Sequence, residues 1–402
     1  MTVFRAAWVC PIDRAPIRNG WVAVNDSGRI AGVGEPTDPV GHHVRDLGRV
    51  ALLPGLVNAH THLELSWLRG RVPSASSFTG WITQLFAQRR APERVDDPRV
   101  LAAAADAARE ARASGTVAVG DISNSLASVD AIATSGLHGL VFHELLGFKE
   151  RDGRVVEASH LAREQARARG VRVSLAPHAP YSVSPELFQA IRKAVDESAL
   201  PITSVHLGES PEEVEMLALG TGAWPRMLQV VGAWRDDWVH PATGPVEYLD
   251  RLGVIDARTL VAHGVQFDDR ALERLAVIGA TLVTCPRSNQ WVGVGVPPIE
   301  RFYKSGVAVA IGTDSLASVA DLNLFSELKT MRWLAPRVPA RDLLMSATLV
   351  GARALGLDRT LGTITAGKLA EILAVALPGS VEDVEEYLVG GVEPAQCSWP
   401  TV

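Results

Sequence analysis

Cysteine is nearly absent: Cys10, Cys285 and Cys397 are the whole complement of a 402-residue chain. Their odd number, wide separation and lack of CxxC spacing argue against a disulfide framework and against a cysteine-based zinc site. Cys285, in VTCPRSN, reads as a small buried residue beside a site. Basic runs are absent as well, and the formal net charge is −6. Nucleic acid and acidic membrane surfaces therefore have no electrostatic footing as partners. The opening stretch, MTVFRAAWVCPIDRAP, lacks a cationic segment leading into an apolar one and a small-residue cleavage site. No run of about 18 apolar residues occurs anywhere. The expectation is a soluble, cytoplasmic protein acting on a small molecule, with no membrane partner and with self-association into a homo-oligomer left open.

What is present is an ordinary globular composition, 47% hydrophobic and 21% charged, long enough for one large domain and a smaller one. After about residue 50 one theme repeats: a short Val/Ala/Leu/Ile run, a cluster of polar residues, then a longer amphipathic stretch such as RVLAAAADAAREARASG (99 to 115). Such continuous apolar runs alternating with helical spacing read as buried parallel strands joined by helices. Eight runs fit, near 50–59, 116–122, 137–146, 171–177, 202–207, 259–264, 280–285 and 307–313. Gly115, Gly136, Gly170, Gly279 and Gly306 stand where helix C-caps belong. The spacing predicts an α/β fold, a (β/α)8 TIM barrel over 53–357. The flanks, 1–52 and 358–402, carry short β-type segments with turn signals and are expected to form one small β-domain together. The Trp-, Gly- and Pro-rich segment 219–245 is expected as an extended loop over the pocket.

PGLVNAHTHLE, residues 54 to 64, ends an apolar run in two histidines one residue apart. Side chains at i and i+2 of a strand point the same way, so His60 and His62 can aim two imidazoles at one point. Taken alone, an HxH can be two polar residues at a strand terminus by chance. Other strand ends supply His206 (ITSVHLGES) and Asp314 (VAVAIGTDS), and a barrel brings such ends around one pocket. Three histidines and a carboxylate fit a catalytic divalent metal, zinc or a similar transition metal, with a position left for water. Asp314 can instead cap a helix opening at DSLAS. Glu209, three residues after His206, is placed to move protons, although acidic residues also suit a helix start such as SPEEVEML. His263 (VAHGVQ) is expected beside the metal-activated water, and His178 (APHAPYS) against substrate or, alternatively, bonded to backbone in the core. Asp121, His143, Glu144, Ser288 and Asn289 also follow apolar runs. The fourth strand ends in SLAPHAP, without the lysine that would bridge two metals, which favours a single ion.

PGLVNAHTHLE, HLGES, VAHGV, CPRSN and GTDS, in that order across nearly the whole chain, resemble the amidohydrolase superfamily. The branch is that of cytosine-, guanine- and S-adenosylhomocysteine-deaminase-like and triazine-chlorohydrolase-like enzymes. The resemblance implies a (β/α)8 barrel with a β-sandwich from both termini and one divalent metal per chain, zinc first, with iron or manganese as alternatives. It implies metal ligation by His60, His62, His206 and Asp314, proton shuttling by Glu209, a hydrogen bond from His263 to the hydrolytic water, and a catalytic part for Asp314. RGRVPSASSFTGWI (69 to 82) lacks the glutamate that such nucleoside deaminases use for ribose hydroxyls. The chain also resembles bacterial 6-aminodeoxyfutalosine deaminases of menaquinone biosynthesis, whose substrate carries an aromatic, anionic end. Trp67, Trp81, Trp224, Trp234 and Trp291 are candidates to meet its ring, and Arg69, Arg151 and Arg287 its carboxylate. The candidate substrate-binding set is His178, Trp81, Arg287, Ser288 and Asn289. The implied activity is hydrolytic deamination of an adenine-containing nucleoside. Alternatives are adenosine, S-adenosylhomocysteine or methylthioadenosine deamination, triazine-type chlorohydrolysis, or a non-catalytic metal-stabilised binding barrel.

Overall fold

The computed structural model describes residues 1–35, 43–89, 97–379 and 381–400. Eight parallel strands form its centre: β1 Leu56–Thr61, β2 Thr116–Ser123, β3 His138–Leu145, β4 Arg172–Pro177, β5 Thr203–Leu207, β6 Thr259–His263, β7 Thr281–Thr284 and β8 Ala308–Ile311. They are hydrogen-bonded as two four-stranded sheets, β4-β3-β2-β1 and β5-β6-β7-β8, within an α/β architecture. The sheets meet at two seams. At one, the His206 N–H donates to the His178 carbonyl at 2.9 Å, and Thr203 Oγ1 to Leu175 O at 2.9 Å. At the other, the N–H groups of Thr313 and Asp314 both donate to His60 O, at 3.1 and 3.0 Å, and Thr61 bridges Asp314.

Helices between strands start and stop where the local chemistry dictates. Ser184 and Ser210 cap helices Pro185–Asp196 and Pro211–Leu219, each accepting a backbone N–H ahead of a proline whose missing N–H costs nothing in the first turn. Gly279 ends helix Asp269–Ile278 at φ 81°, a left-handed conformation that strains any residue with a Cβ.

The expected first run, 50–59, is two strands. Val50–Pro54 pairs antiparallel with Ile372–Ala376 in a terminal sheet, and β1 begins only after Gly55. Apolar continuity hid this break, because both pieces are buried. The terminal sheets have strand orders 30–34, 21–24, 2–5, 43–46 and 397–398, 372–376, 50–54, 8–9, 17–18. Phe4, Val22 and Val24 of one share an apolar cluster with Val9, Leu52 and Ile372 of the other. Segment 219–245 also departs from expectation: it opens with helix Ala223–Val230, whose Trp224 and Leu228 are buried, before becoming irregular. No helix among the described residues is long and apolar enough to cross a membrane.

Inside β1 the two-residue period sorts side chains. Val57 and Ala59 join Ala352 and Leu355 of a C-terminal helical region in one cluster, so Asn58 and His60 face the opposite way. Backbone approach at the β8 end is close: a Cβ on Gly312 would lie 2.6 Å from His60 O and 2.9 Å from Cys285 Sγ. Gly312→Ala is expected to destabilise the protein by about 1–3 kcal/mol through overpacking. A lowered urea midpoint of metal-free protein would register this; an unchanged midpoint would mean that β8 can shift away from β1.

Candidate active site

His60, His62 and His206 converge, with one ring nitrogen from each lying within 4.8 Å of the others. His60 and His206 come from β1 and β5, and His62 follows β1 directly. Nε2 of His62 and Nε2 of His206 are 3.3 Å apart, and Asp314 Oδ1 is 3.5 Å from His62 Nε2. His60 is fully buried, with neither ring nitrogen given a hydrogen-bond partner. Burial first, then the neighbouring imidazoles, pull its pKa well below the ordinary value; His62 is lowered chiefly by burial. At His206 the Glu144 carboxylate outweighs burial and raises the ring to about 9; a cation, which requires neutral imidazoles, would displace that proton. A tetrahedral site with metal–nitrogen bonds of ~2.0–2.1 Å has nitrogen–nitrogen edges of about 3.4 Å. The donor set thus fits a divalent ion in chemistry and in spacing.

Two further features of this cluster were not legible in the sequence. His263 and Asp314 both sit at positive φ, 78° and 60°, a region unusual for residues with a Cβ. Each costs about 1–3 kcal/mol and persists only where surrounding structure imposes it. Here β6 ends at His263, and Asp314 follows the end of β8 by three residues. Asp314 Oδ2 accepts from Ser288 Oγ at 2.5 Å, and Asn289 Nδ2 lies 3.1 Å from His263 Nδ1. Donation by Asn289 leaves the His263 Nε2–H directed at Glu209, whose Oε1 is 3.6 Å away. Burial pushes His263 down to about 3 and pushes the Glu209 carboxyl well above the carboxylate range, with Asp314 adding to the rise and His206 opposing it. Burial thus favours the protonated form of the Glu209 carboxyl.

Ser288 and Asn289 are placed behind Asp314 and His263, and neither lines the pocket. Arg287, expected at a substrate carboxylate, is elsewhere: its guanidinium meets buried Glu327 at 2.7 Å and Asp321 at 3.0 Å. Both belong to the chain just beyond β8, which no local signal ties to CPRSN. Arg69 pairs with Glu110, and Arg151 with Asp237 at 2.8 Å. Asp121, another strand-end carboxylate, accepts from Leu63 N and Ser128 Oγ, and burial raises it to about 8.

The pocket is a cavity of about 420 Å³. Its polar floor includes His62, His178, His206, Glu209, His263 and Asp314, and its walls include Phe78, Trp81, Phe148, Tyr181, Trp224 and Leu228. Tyr181 and Trp224 stack at 3.8 Å between ring centroids. Of the expected tryptophans, Trp81 and Trp224 line this cavity. Trp234 stacks on Phe148 from behind, Trp67 lies under Arg71 and Arg99, and Trp291 is 41% exposed and donates to Val72 O. His178 lines the floor, with Nδ1 2.6 Å from Ser182 Oγ. Residues given no role from sequence include Tyr181, three after His178, and Glu213. The fully buried Glu213 carboxylate accepts the N–H groups of Gly208 and Glu209 at 3.0 and 3.1 Å, fixing the turn that carries Glu209. Its signal was present: Ser210 and Glu213 have the spacing of a capping box.

Adding Zn(II) to chelator-treated protein is expected to raise its melting temperature, since a ligand at 100 times its Kd stabilises by about 2.7 kcal/mol. His60→Ala should abolish the shift in scanning fluorimetry; an equal shift in that variant would place the ion elsewhere.

The amidohydrolase family model matches residues 51–394. The aminodeoxyfutalosine deaminase of Deinococcus radiodurans is 32% identical over 355 residues, 84% of this chain and 81% of the relative. The 5′-deoxyadenosine deaminase of Methanothermobacter thermautotrophicus is 31% identical over 376 residues, 90% of this chain and 82% of the relative. Among solved structures, an adenosine deaminase from Xanthomonas campestris with bound zinc has a TM-score of 0.84 at 27% identity, covering 98% of this chain and 90% of that one. Helicobacter pylori aminofutalosine deaminase, in complex with methylthio-coformycin, shares the fold with a TM-score of 0.84 at 24% identity, covering 99% and 100%. The chain belongs to the amidohydrolase family and is a metal-dependent hydrolase acting on C–N bonds.

Proposed function

We propose that this chain deaminates the adenine ring of a nucleoside, with 6-aminodeoxyfutalosine, and hence menaquinone biosynthesis, as the first substrate assignment to test. The observation that carries the reading is the placement of Glu209, 3.6 Å from His263, on the floor of a cavity walled by aromatic rings. A planar purine suits such walls, since stacked or edge-to-face contacts reward flat rings. The two parallel half-sheets read as one closed (β/α)8 barrel spanning 53–357, with 1–52 and 358–402 as a β-sandwich whose boundary strand runs on to Pro54.

In this reading His60, His62, His206 and Asp314 hold one divalent ion, zinc in the first instance. When bound, it supplies Lewis acidity that lowers the pKa of water from ~16 toward ~7. Glu209 delivers its proton to a ring nitrogen as water oxygen adds to the adjacent C6, takes up one proton shed by that oxygen and passes it to the departing amine, and is reprotonated by the second. His263, neutral and held by Asn289, orients the water through Nε2. Water is consumed, ammonia leaves, and the ring carries an oxo group in place of the amine. His178 and Trp81 contact the substrate. Ser288 and Asn289 serve the reaction by holding Asp314 and His263.

A second reading is favoured by one observation. Arg69, Arg151 and Arg287 are engaged away from the pocket, and Arg89 is the cation that lines it among the described residues. An uncharged 5′ substituent, as in 5′-methylthioadenosine, suits apolar walls without needing any of the three. An ultraviolet assay on adenosine, S-adenosylhomocysteine, 5′-methylthioadenosine and 6-aminodeoxyfutalosine separates the readings, because amino-to-oxo conversion shifts purine absorbance. Comparable rates on all four would defeat the menaquinone assignment.

Glu209→Gln is expected to lower kcat by about 10²–10⁴-fold while metal content by elemental analysis stays unchanged. Full activity in that variant would remove Glu209 as the proton carrier.

A further inference from the structure

Glu144 is the penultimate residue of β3, is 5% exposed, and stands on the pocket floor beside His206. Its Oε1 lies 3.3 Å from His206 Nδ1, the ring nitrogen on the far side from the His62 contact. The same Nδ1 lies 3.2 Å from the His178 carbonyl. Nδ1 thus carries a proton directed at the His178 carbonyl, with the Glu144 carboxylate beside it, and Nε2 is the nitrogen that faces His62.

Glu144 is itself held. Asn124 Nδ2 donates to Glu144 Oε2 at 2.9 Å and to the Glu144 carbonyl at 3.1 Å. Asn124 is fixed in turn by Glu64, two residues beyond His62. Glu64 Oε1 accepts the Asn124 N–H at 2.9 Å, and Oε2 accepts Ser125 N, Ser125 Oγ and Ser123 Oγ at 3.0, 2.6 and 2.6 Å. A run of hydrogen bonds thus leads from the HTHLE segment through the loop after β2 to Glu144, whose Oε1 stands 3.3 Å behind His206 Nδ1 at ion-pair distance. We propose that Glu144 is a positioning residue for the metal ligand His206, and that Glu64 and Asn124 form with it one relay that fixes the orientation and tautomer of that imidazole.

Glu144, His178 and His206 also bring donor atoms within 4.8 Å of one another, which raises a second cation as the competing account. That cation would need a lone pair on His206 Nδ1, and an unprotonated nitrogen 3.2 Å from a carbonyl oxygen is repulsive. The carboxylate therefore serves the imidazole. Such outer partners of ligating histidines typically change metal affinity by 10–100-fold.

This inference rests on reading His206 as a ligand, and its test is read without substrate. The Zn(II) dissociation constant is measured by competition with a chromogenic chelator, and the visible spectrum of Co(II)-substituted protein is recorded, for Glu144→Gln, Asn124→Ala and the double variant. Glu144→Gln is expected to weaken zinc binding by about 10–100-fold and to shift the Co(II) bands. Asn124→Ala should act in the same direction, and the double variant should bind no more weakly than Glu144→Gln alone, as for residues acting in one network. Asn124→Ala keeps the proposal testable if Glu144→Gln does not fold. Zinc affinity within about twofold of the parent, with KM alone raised, would make Glu144 a substrate contact and overturn the proposal. A second tightly bound zinc in the parent, lost in Glu144→Gln, would overturn it in favour of direct ligation. Loss of metal affinity in a protein that deaminates no nucleoside would uphold this relay while defeating the proposed substrate.

Discussion

The constraint on which the site depends is the burial of His60 with both ring nitrogens lacking a hydrogen-bond partner. Leaving buried polar atoms unsatisfied costs about 1–3 kcal/mol apiece, so a chain that does this at its centre needs a compensating interaction. A divalent cation shared with His62, His206 and Asp314, as proposed above, would provide it. The same burial holds His60 and His62 below the ordinary imidazole range, because desolvation penalises the imidazolium form, whereas at His206 the Glu144 carboxylate outweighs burial and raises the ring to about 9.

Around that cluster the fold imposes geometry that local preferences oppose. His263 and Asp314 adopt left-handed backbone conformations, and Gly312 lets β8 approach His60 closely. The strain is held by contacts from distant segments. Ser288 meets Asp314 and Asn289 meets His263, while Glu327, reaching from the helix beyond β8, accepts both the backbone N–H and the side chain of Arg287. Helix Pro286–Trp291 is in this sense a bracket between two functional residues and the outer helical layer. Glu213 does the same for Glu209 from within its own helix.

The pocket divides its work by chemistry. Its floor carries ionisable groups whose protonation is set by burial and by one another, and its walls carry rings. Trp81 and Trp224 were legible as aromatic candidates from composition alone, but Trp67, Trp234 and Trp291 were equally plausible by that criterion. Only the packing of helices Phe78–Gln88 and Ala223–Val230 over the strand ends separated them. The arginines expected at an anionic substrate group failed for a related reason. A charged side chain takes the nearest carboxylate available in space, and those carboxylates, Glu110, Asp237 and Glu327, lie 41, 86 and 40 residues away in the chain.

Sequence by itself determined the strand and helix rhythm, the candidate donor types and their order, because apolar period and strand-end polarity are local properties of the chain. It could not mark the break at Gly55, since burial continues through two strands that belong to different sheets. Nor could it tell Asp121, which braces a turn, from Asp314, which faces three imidazoles, although both end apolar runs. That difference arises where the end of β8 is hydrogen-bonded back onto β1, a contact spanning more than half the chain. Tertiary structure decided which of the strand-end carboxylates share a cavity, because only the meeting of the two parallel sheets at their seams brings donors so distant in the chain to one place.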